Sequence, residues 1–149
     1  MEYRKAEISD AAVLAALRKK QLIDEGGQPN DEIDDELEIY FSDGLSDDSL
    51  VVWVADDGGR IIGTAGACYF RYPPTFTNVQ GKVAYVTNVY IEDAYRKRGI
   101  ATDLMNEVME DIKERGCKVI RLHASDQGRR LYEKLGFVDA EGFMIMRLS

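Results

Sequence analysis

Apolar positions along this chain change their period several times, and each change marks an element. Near the start, Val13, Leu14, Leu17 and Leu22 recur at helical spacing behind Ser9-Asp10, two residues suited to capping. The preceding "YRKAEISD" reads as a short strand, and Gly26-Gly27 end the helix. From Asp31 to Asp48 the chain is rich in acids, yet Ile33, Leu37 and Phe41 hold to one face, which predicts a solvated helix. "SLVVWVADDGGRIIGTAGACYF" has two apolar runs around Asp57-Gly58-Gly59, the chemistry of a hairpin turn. "RYPPTFTNVQG" is a loop, because Pro73-Pro74 donate no ladder bond and restrict what precedes them.

In the second half "KVAYVTNVYI" reads as a long strand, followed by a helix with Leu104, Met105, Val108, Met109 and Ile112 on one face and Gly116 at its end. "CKVIRLHAS" is another strand, "DQGRRLYEKLGF" a short helix stopped by Gly136, and "GFMIMRLS" a last strand. Strand, helix, strand in this order is a crossover unit, so its two strands should be parallel neighbours; the earlier hairpin adds antiparallel ones. The result is a mixed α/β sheet. With no repeat or low-complexity tract, 149 residues read as a single domain, 1–149.

Charge narrows the function. A net charge of −8 and a pI near 4.7 argue against general affinity for nucleic acid or anionic membranes, which rests on cations meeting phosphates. The start of the chain carries acids early and has no uninterrupted apolar core of a signal peptide, so a soluble, cytoplasmic protein is expected. Cys68 and Cys117 lack metal-ligand spacing and read as thiols of a reducing compartment; no metal site is expected.

Against that acidic background stands "YRKRGIAT", Tyr95 to Thr102. It lies between a strand and a helix, where unpaired N–H groups and the positive end of the helix dipole favour a phosphate. Gly99 and Ala101 remove bulk so that a ligand can approach the backbone, and Arg96 and Arg98 can add charge from the sides. The Gly-Lys-Ser/Thr of a nucleotide-hydrolysing loop is absent, as is the three-glycine dinucleotide fingerprint. On spacing alone, cations near a helix start equally serve solubility.

The neighbouring stretches add a resemblance. With "TNVYIEDAYRKRGIATDLMNEVM" and then "ASDQGRRLYEKLGF", the chain resembles the GNAT superfamily of acetyl-CoA-dependent N-acetyltransferases. That family's Arg/Gln-x-x-Gly-x-Gly/Ala motif is matched by Arg96, Gly99 and Ala101, and its Leu-Tyr-Glu-Lys-Leu-Gly-Phe motif by Leu131 to Phe137. The resemblance implies a mixed, mostly antiparallel sheet of six to seven strands, flanked by about four helices. Its central parallel strands, Val83–Ile91 and Lys118–Ala124, should splay apart so that the pantetheine arm lies between them like an added strand. By the same resemblance, acetyl-CoA would be held by Val89, Tyr90 and Ile91, by Arg96, Lys97, Arg98, Gly99, Ile100, Ala101 and Thr102 at the pyrophosphate, by Ser125 where the family often has asparagine, and by Tyr132.

Tyr132 is then the expected general acid for the leaving thiolate, and the Val89 N–H the donor to the developing oxyanion. The strand carboxylate that many relatives use as base is missing from "KVAYVTNVYI". Tyr85 or Thr87 holding water, His123, an acid of the Asp31–Asp48 stretch and bulk water all stay open as proton acceptor. The function implied is acetyl transfer to a primary amine of a small-molecule or peptide acceptor, by direct attack in a ternary complex. Asp31, Glu32, Asp34, Asp35, Glu36 and Glu38 weakly favour a cationic acceptor, although a solvated helix explains them as well. The alternative is a non-catalytic acetyl-CoA-binding regulatory module; a homodimer through strand edges is also expected.

Overall fold

The computed structural model describes residues 1–140 and 142–148. Strand β1 (Glu2–Lys5) leads through a 3-10 turn at Ile8–Asp10 into helix α1 (Ala11–Asp24). The Asp10 carboxylate accepts from the Glu7 N–H at 2.7 Å and from the Arg4 guanidinium at 2.9 Å. It therefore closes the turn instead of capping α1, whose N-terminus has no side-chain cap.

The acid-rich stretch forms helix α2 (Asp34–Ser46), with Asp34, Asp35 and Glu36 in its first turn, where the helix dipole favours anions. Phe41 is fully buried and the acids face solvent, as a solvated helix requires. Strands β2 (Leu50–Asp57) and β3 (Arg60–Arg71) make the predicted hairpin, and Gly58 and Gly59 both take positive φ, 62° and 97°, as its tight turn demands. Strand β4 (Lys82–Ile91), helix α3 (Ile100–Glu114), strand β5 (Val119–Arg121) and helix α4 (Arg129–Leu135) complete the chain.

The sheet runs β1-β2-β3-β4-β5, antiparallel except for the parallel pair β4–β5. One face packs on α1 and α2 through Leu14, Leu17, Phe41, Val52 and Val54. The other packs on α3 through Leu104, Met105, Val108 and Ile112 against Ile62, Ala65, Ala67, Ala84 and Val86. Each large side chain so buried contributes about 1.5–3 kcal/mol. No helix of the described residues is long and apolar enough to cross a membrane.

Three expectations are corrected. Among the described residues the sheet has five strands instead of six or seven, and its parallel pair lies at an edge instead of the centre. The strand expected over Lys118–Ala124 is reduced to Val119–Arg121, because its pairing with β4 stops at Tyr85↔Arg121 and the two chains then part. Finally, Gly142–Leu148 belongs to no ladder, and Phe143, Met144, Ile145, Met146 and Leu148 are exposed; Ser149 lies outside the described residues. A strand exists only against a partner edge, and a continuous apolar run specifies neither face nor register.

The buried phenols predict a response to alkali. Burial raises the Tyr69 hydroxyl, which its 2.7 Å bond to Asp111 raises further, and burial with the nearby charge of Glu25 pushes Tyr132 up to about 12. Above the ordinary phenol value of about 10 the unfolded chain loses protons that the native state keeps, so stability should fall with rising pH. A melting temperature steady from pH 8 to about 9.5 and declining beyond is expected; a flat profile to about pH 11.5 would remove this contribution.

Candidate active site

Strand β4 leaves its ladder before it ends. Gly66 pairs with Thr87 but Thr64 with Tyr90, so Asn88 and Val89 together oppose Ala65 in a β-bulge. Asn88 takes φ 59°, a left-handed conformation that asparagine tolerates, and the bulge is held by a 2.6 Å bond from the buried Thr64 hydroxyl to the Asn88 carbonyl. Since β5 has already parted from β4 beyond Arg121, a cleft opens between Val89–Ile91 and the chain leading into α4.

The basic segment turns from β4 into α3 at the floor of this cleft. Lys97 and Gly99 take φ 64° and 80°, and Gly99 begins α3 with no side-chain cap. The N–H groups of Ile100, Ala101 and Thr102 thus have no intrahelical acceptor. A Cβ on Gly99 would meet nothing within 4 Å: it would project into open space. An open, uncapped helix start of this kind favours an anion.

The two arginines behave differently from expectation. Arg96 lines the cleft, but its guanidinium is engaged with the Ile91 carbonyl at 2.8 Å, Asp93 at 2.6 Å and Asp24 at 3.3 Å. It fastens the loop to β4 and α1. Arg98 lies over the Tyr95 ring and donates to the Ala94 carbonyl at 3.1 Å, outside the cleft lining, so its expected lateral contact is not set up.

Helix α4 supplies the wall facing the bulge. Ser125 lines the cleft and its hydroxyl oxygen accepts from the Gly128 N–H at 3.1 Å, which turns the chain into α4 and leaves the hydroxyl proton free to donate. Gly128 is required by close approach: a Cβ there would stand 2.8 Å from the Tyr132 ring and 3.2 Å from the Ser125 hydroxyl. Tyr132, 8% exposed, packs edge-on against Phe137 with centroids 5.9 Å apart. Its raised hydroxyl stays protonated throughout the neutral range.

The resulting cavity of about 300 Å³ brings together Val89, Tyr90, Ile91, Arg96, Lys97, Gly99, Ile100, Ala101, Thr102, Ser125 and Tyr132. It also takes in Gln21, Asp24 and Glu25 from the end of α1, which sequence reasoning did not single out. One signal was legible: Gln21 follows Leu14 and Leu17 along the apolar face of α1 and is itself buried, 6% exposed. The proton acceptors left open in the sequence stand elsewhere. Tyr85 and His123 bond each other, hydroxyl to Nδ1 at 2.6 Å, and Thr87 donates to Asn88 Oδ1 at 3.0 Å; none lines the cavity. Nor do the acids of Asp31–Asp48, of which Glu32 and Asp34 pair with Lys19. Among the described residues no group of three or more His, Cys, Asp or Glu side chains could hold a metal ion.

Known proteins share this fold. Residues 14–137 match the model of the acetyltransferase (GNAT) family. A predicted acetyltransferase from Clostridium acetobutylicum, solved with acetyl-CoA, superposes with a TM-score of 0.95 at 42% identity, over 98% of this chain and 95% of that one. A glucosamine 6-phosphate N-acetyltransferase of Trypanosoma brucei brucei is 32% identical over 53% of this chain and 52% of its own length. A thialysine N-epsilon-acetyltransferase of Bos taurus is 28% identical over 67% of this chain and 62% of its own. The chain thus spans about half to two thirds of the curated relatives it matches. A bulged strand, an uncapped helix start and a facing tyrosine, in one cavity and within a matching family model, lead to one statement: the chain belongs to the acetyltransferase (GNAT) family.

Proposed function

We infer that the protein is an acetyl-CoA-dependent N-acetyltransferase, working as one domain over residues 1–149, that acetylates a primary amine by direct attack in a ternary complex. The observation that carries this reading is that Tyr132 shares one cavity with the open N-terminal turn of α3 and the bulge of β4. The N–H groups at the start of α3 would hold the pyrophosphate, and the backbone of Val89 and Ile91 the pantetheine amides. The Val89 N–H would donate to the oxyanion and the Tyr132 hydroxyl to the departing sulfur.

Relatives named for glucosamine 6-phosphate and for thialysine support an amine acceptor. Cytoplasmic residence is part of the same reading, supported by the acidic composition and two free thiols. So is a homodimer: β5 has an open edge, and the exposed apolar side chains of 143–148 need cover that a second copy can supply.

The test is release of free thiol from acetyl-CoA with spermidine, an aminoglycoside, glucosamine 6-phosphate, lysine and a lysine-terminated peptide. Turnover with at least one is expected. Tight acetyl-CoA binding with no thiol release from any amine would favour the non-catalytic binding module instead, to which the lack of a carboxylate on β4 lends support.

A further inference from the structure

The cavity contains a carboxylate that its neighbours leave unused. Of the two acids at the end of α1, Asp24 is taken by Arg96 at 3.3 Å, whereas Glu25 makes no ion pair among the described residues. Its one hydrogen bond comes from Gln21 Nε2 at 3.3 Å. The same Nε2 donates to the Val89 carbonyl at 3.1 Å, and Arg18 fixes the other end of that amide by donating to Gln21 Oε1 at 3.1 Å. Arg18, Gln21 and Glu25 follow one another at helical spacings of three and four, so they share the face of α1 that looks onto β4. Buried Gln21 therefore tethers Glu25 to the bulge residue of β4.

Glu25 shares its cavity with Tyr132 of the opposite wall. Its negative charge adds to burial in raising the Tyr132 hydroxyl, and it bears on Tyr85 as well. A carboxylate at the end of α1 thus lines the same cavity as Val89 and Tyr132, on a frame whose strand β4 offers none. It is exposed, so a proton placed on it can pass to water.

We propose that Glu25 is the proton acceptor of the reaction, taking a proton from the ammonium of a cationic primary amine before the nitrogen attacks. This rests on the acetyltransferase reading above. The ammonium N–H bond breaks and its proton goes to Glu25 and on to solvent. The nitrogen lone pair forms the C–N bond with the thioester carbonyl, and the C–S bond breaks. The sulfur takes the Tyr132 proton, and the second nitrogen proton restores the phenol. Amine cation and acetyl-CoA thus give amide, free thiol and one proton. The charged and titratable groups around Glu25 are Asp24 and, through Gln21, Arg18 on α1, Arg96 and Lys97 on the loop, and Tyr132 on α4, with Tyr85 on β4 within reach of its charge.

The test is Glu25→Gln, assayed by thiol release on the wild type's best amine from the panel. At pH 7.5 kcat/KM should fall by about 10²–10³-fold, and the deficit should shrink towards pH 10, where solution supplies free amine without help. Acetyl-CoA affinity by calorimetry should stay within about threefold, and Glu25→Asp should recover part of the lost rate. A wild-type rate and pH profile in Glu25→Gln, or a deficit equal at every pH, would overturn the assignment while leaving the acetyltransferase reading intact. A wild-type protein that binds acetyl-CoA but releases no thiol with any amine of the panel would overturn both.

Discussion

Tyr132→Phe should lower kcat by about 10²–10⁴-fold, the range for removing a positioned proton donor, with acetyl-CoA affinity nearly unchanged. Phenylalanine keeps the ring that packs on Phe137 and against Gly128, so the wall of the cavity and the course of α4 should persist. What is lost is a hydroxyl that burial and Glu25 push up to about 12, so that it can donate at any physiological pH. Steady-state thiol release and calorimetry on the same preparations separate the two quantities. Equal turnover in the variant would take Tyr132 out of the acid role; a parallel loss of affinity would make it a binding residue.

Gly99→Val should reduce acetyl-CoA affinity at least a hundredfold, equivalent to about 2.7 kcal/mol. At φ 80° a β-branched residue is strained by about 1–2 kcal/mol, so some stability is lost as well. Its methyl groups would enter the open space above the N–H groups of α3, where nothing now lies within 4 Å of a Cβ. Gly116→Val is the matched control. It sits beyond the other end of the same helix at φ 77°, likewise with nothing within 4 Å. Both variants should melt at lower temperature, but only Gly99→Val should lose the cosubstrate. Equal affinity in the two would mean that the pyrophosphate does not lie on the start of α3.

Much of this site was legible because its parts are contiguous in the chain. Arg96 to Thr102 form one loop and helix start, and Leu131 to Phe137 one helix and its stop. Contiguous residues set their own geometry through turn and cap chemistry, which is local. The roles of individual charges were not legible in the same way. Arg96 and Arg98 look alike in "RKR", yet one is drawn to Asp24 and the Ile91 carbonyl and the other onto Tyr95. Their partners come from other elements, and no spacing announces them. Tyr85 and His123 stand 38 residues apart in the chain, and the parallel register of β4 and β5 brings their side chains within 2.6 Å of each other.

The sequence by itself determined the helices with their stops, the hairpin, the crossover unit and the glycine turn into α3, because periodicity, glycine and capping act over a few residues. Tertiary structure decided the rest. It ended β5 at Arg121 so that a cleft could open, placed the bulge at Asn88–Val89 through a bond from Thr64, and left 142–148 without a ladder. It also carried Gln21 and Glu25 from α1 to Val89, some seventy residues away in the chain. Such contacts depend on packing faces and on the edges available to a strand, and these exist only once the whole sheet has formed.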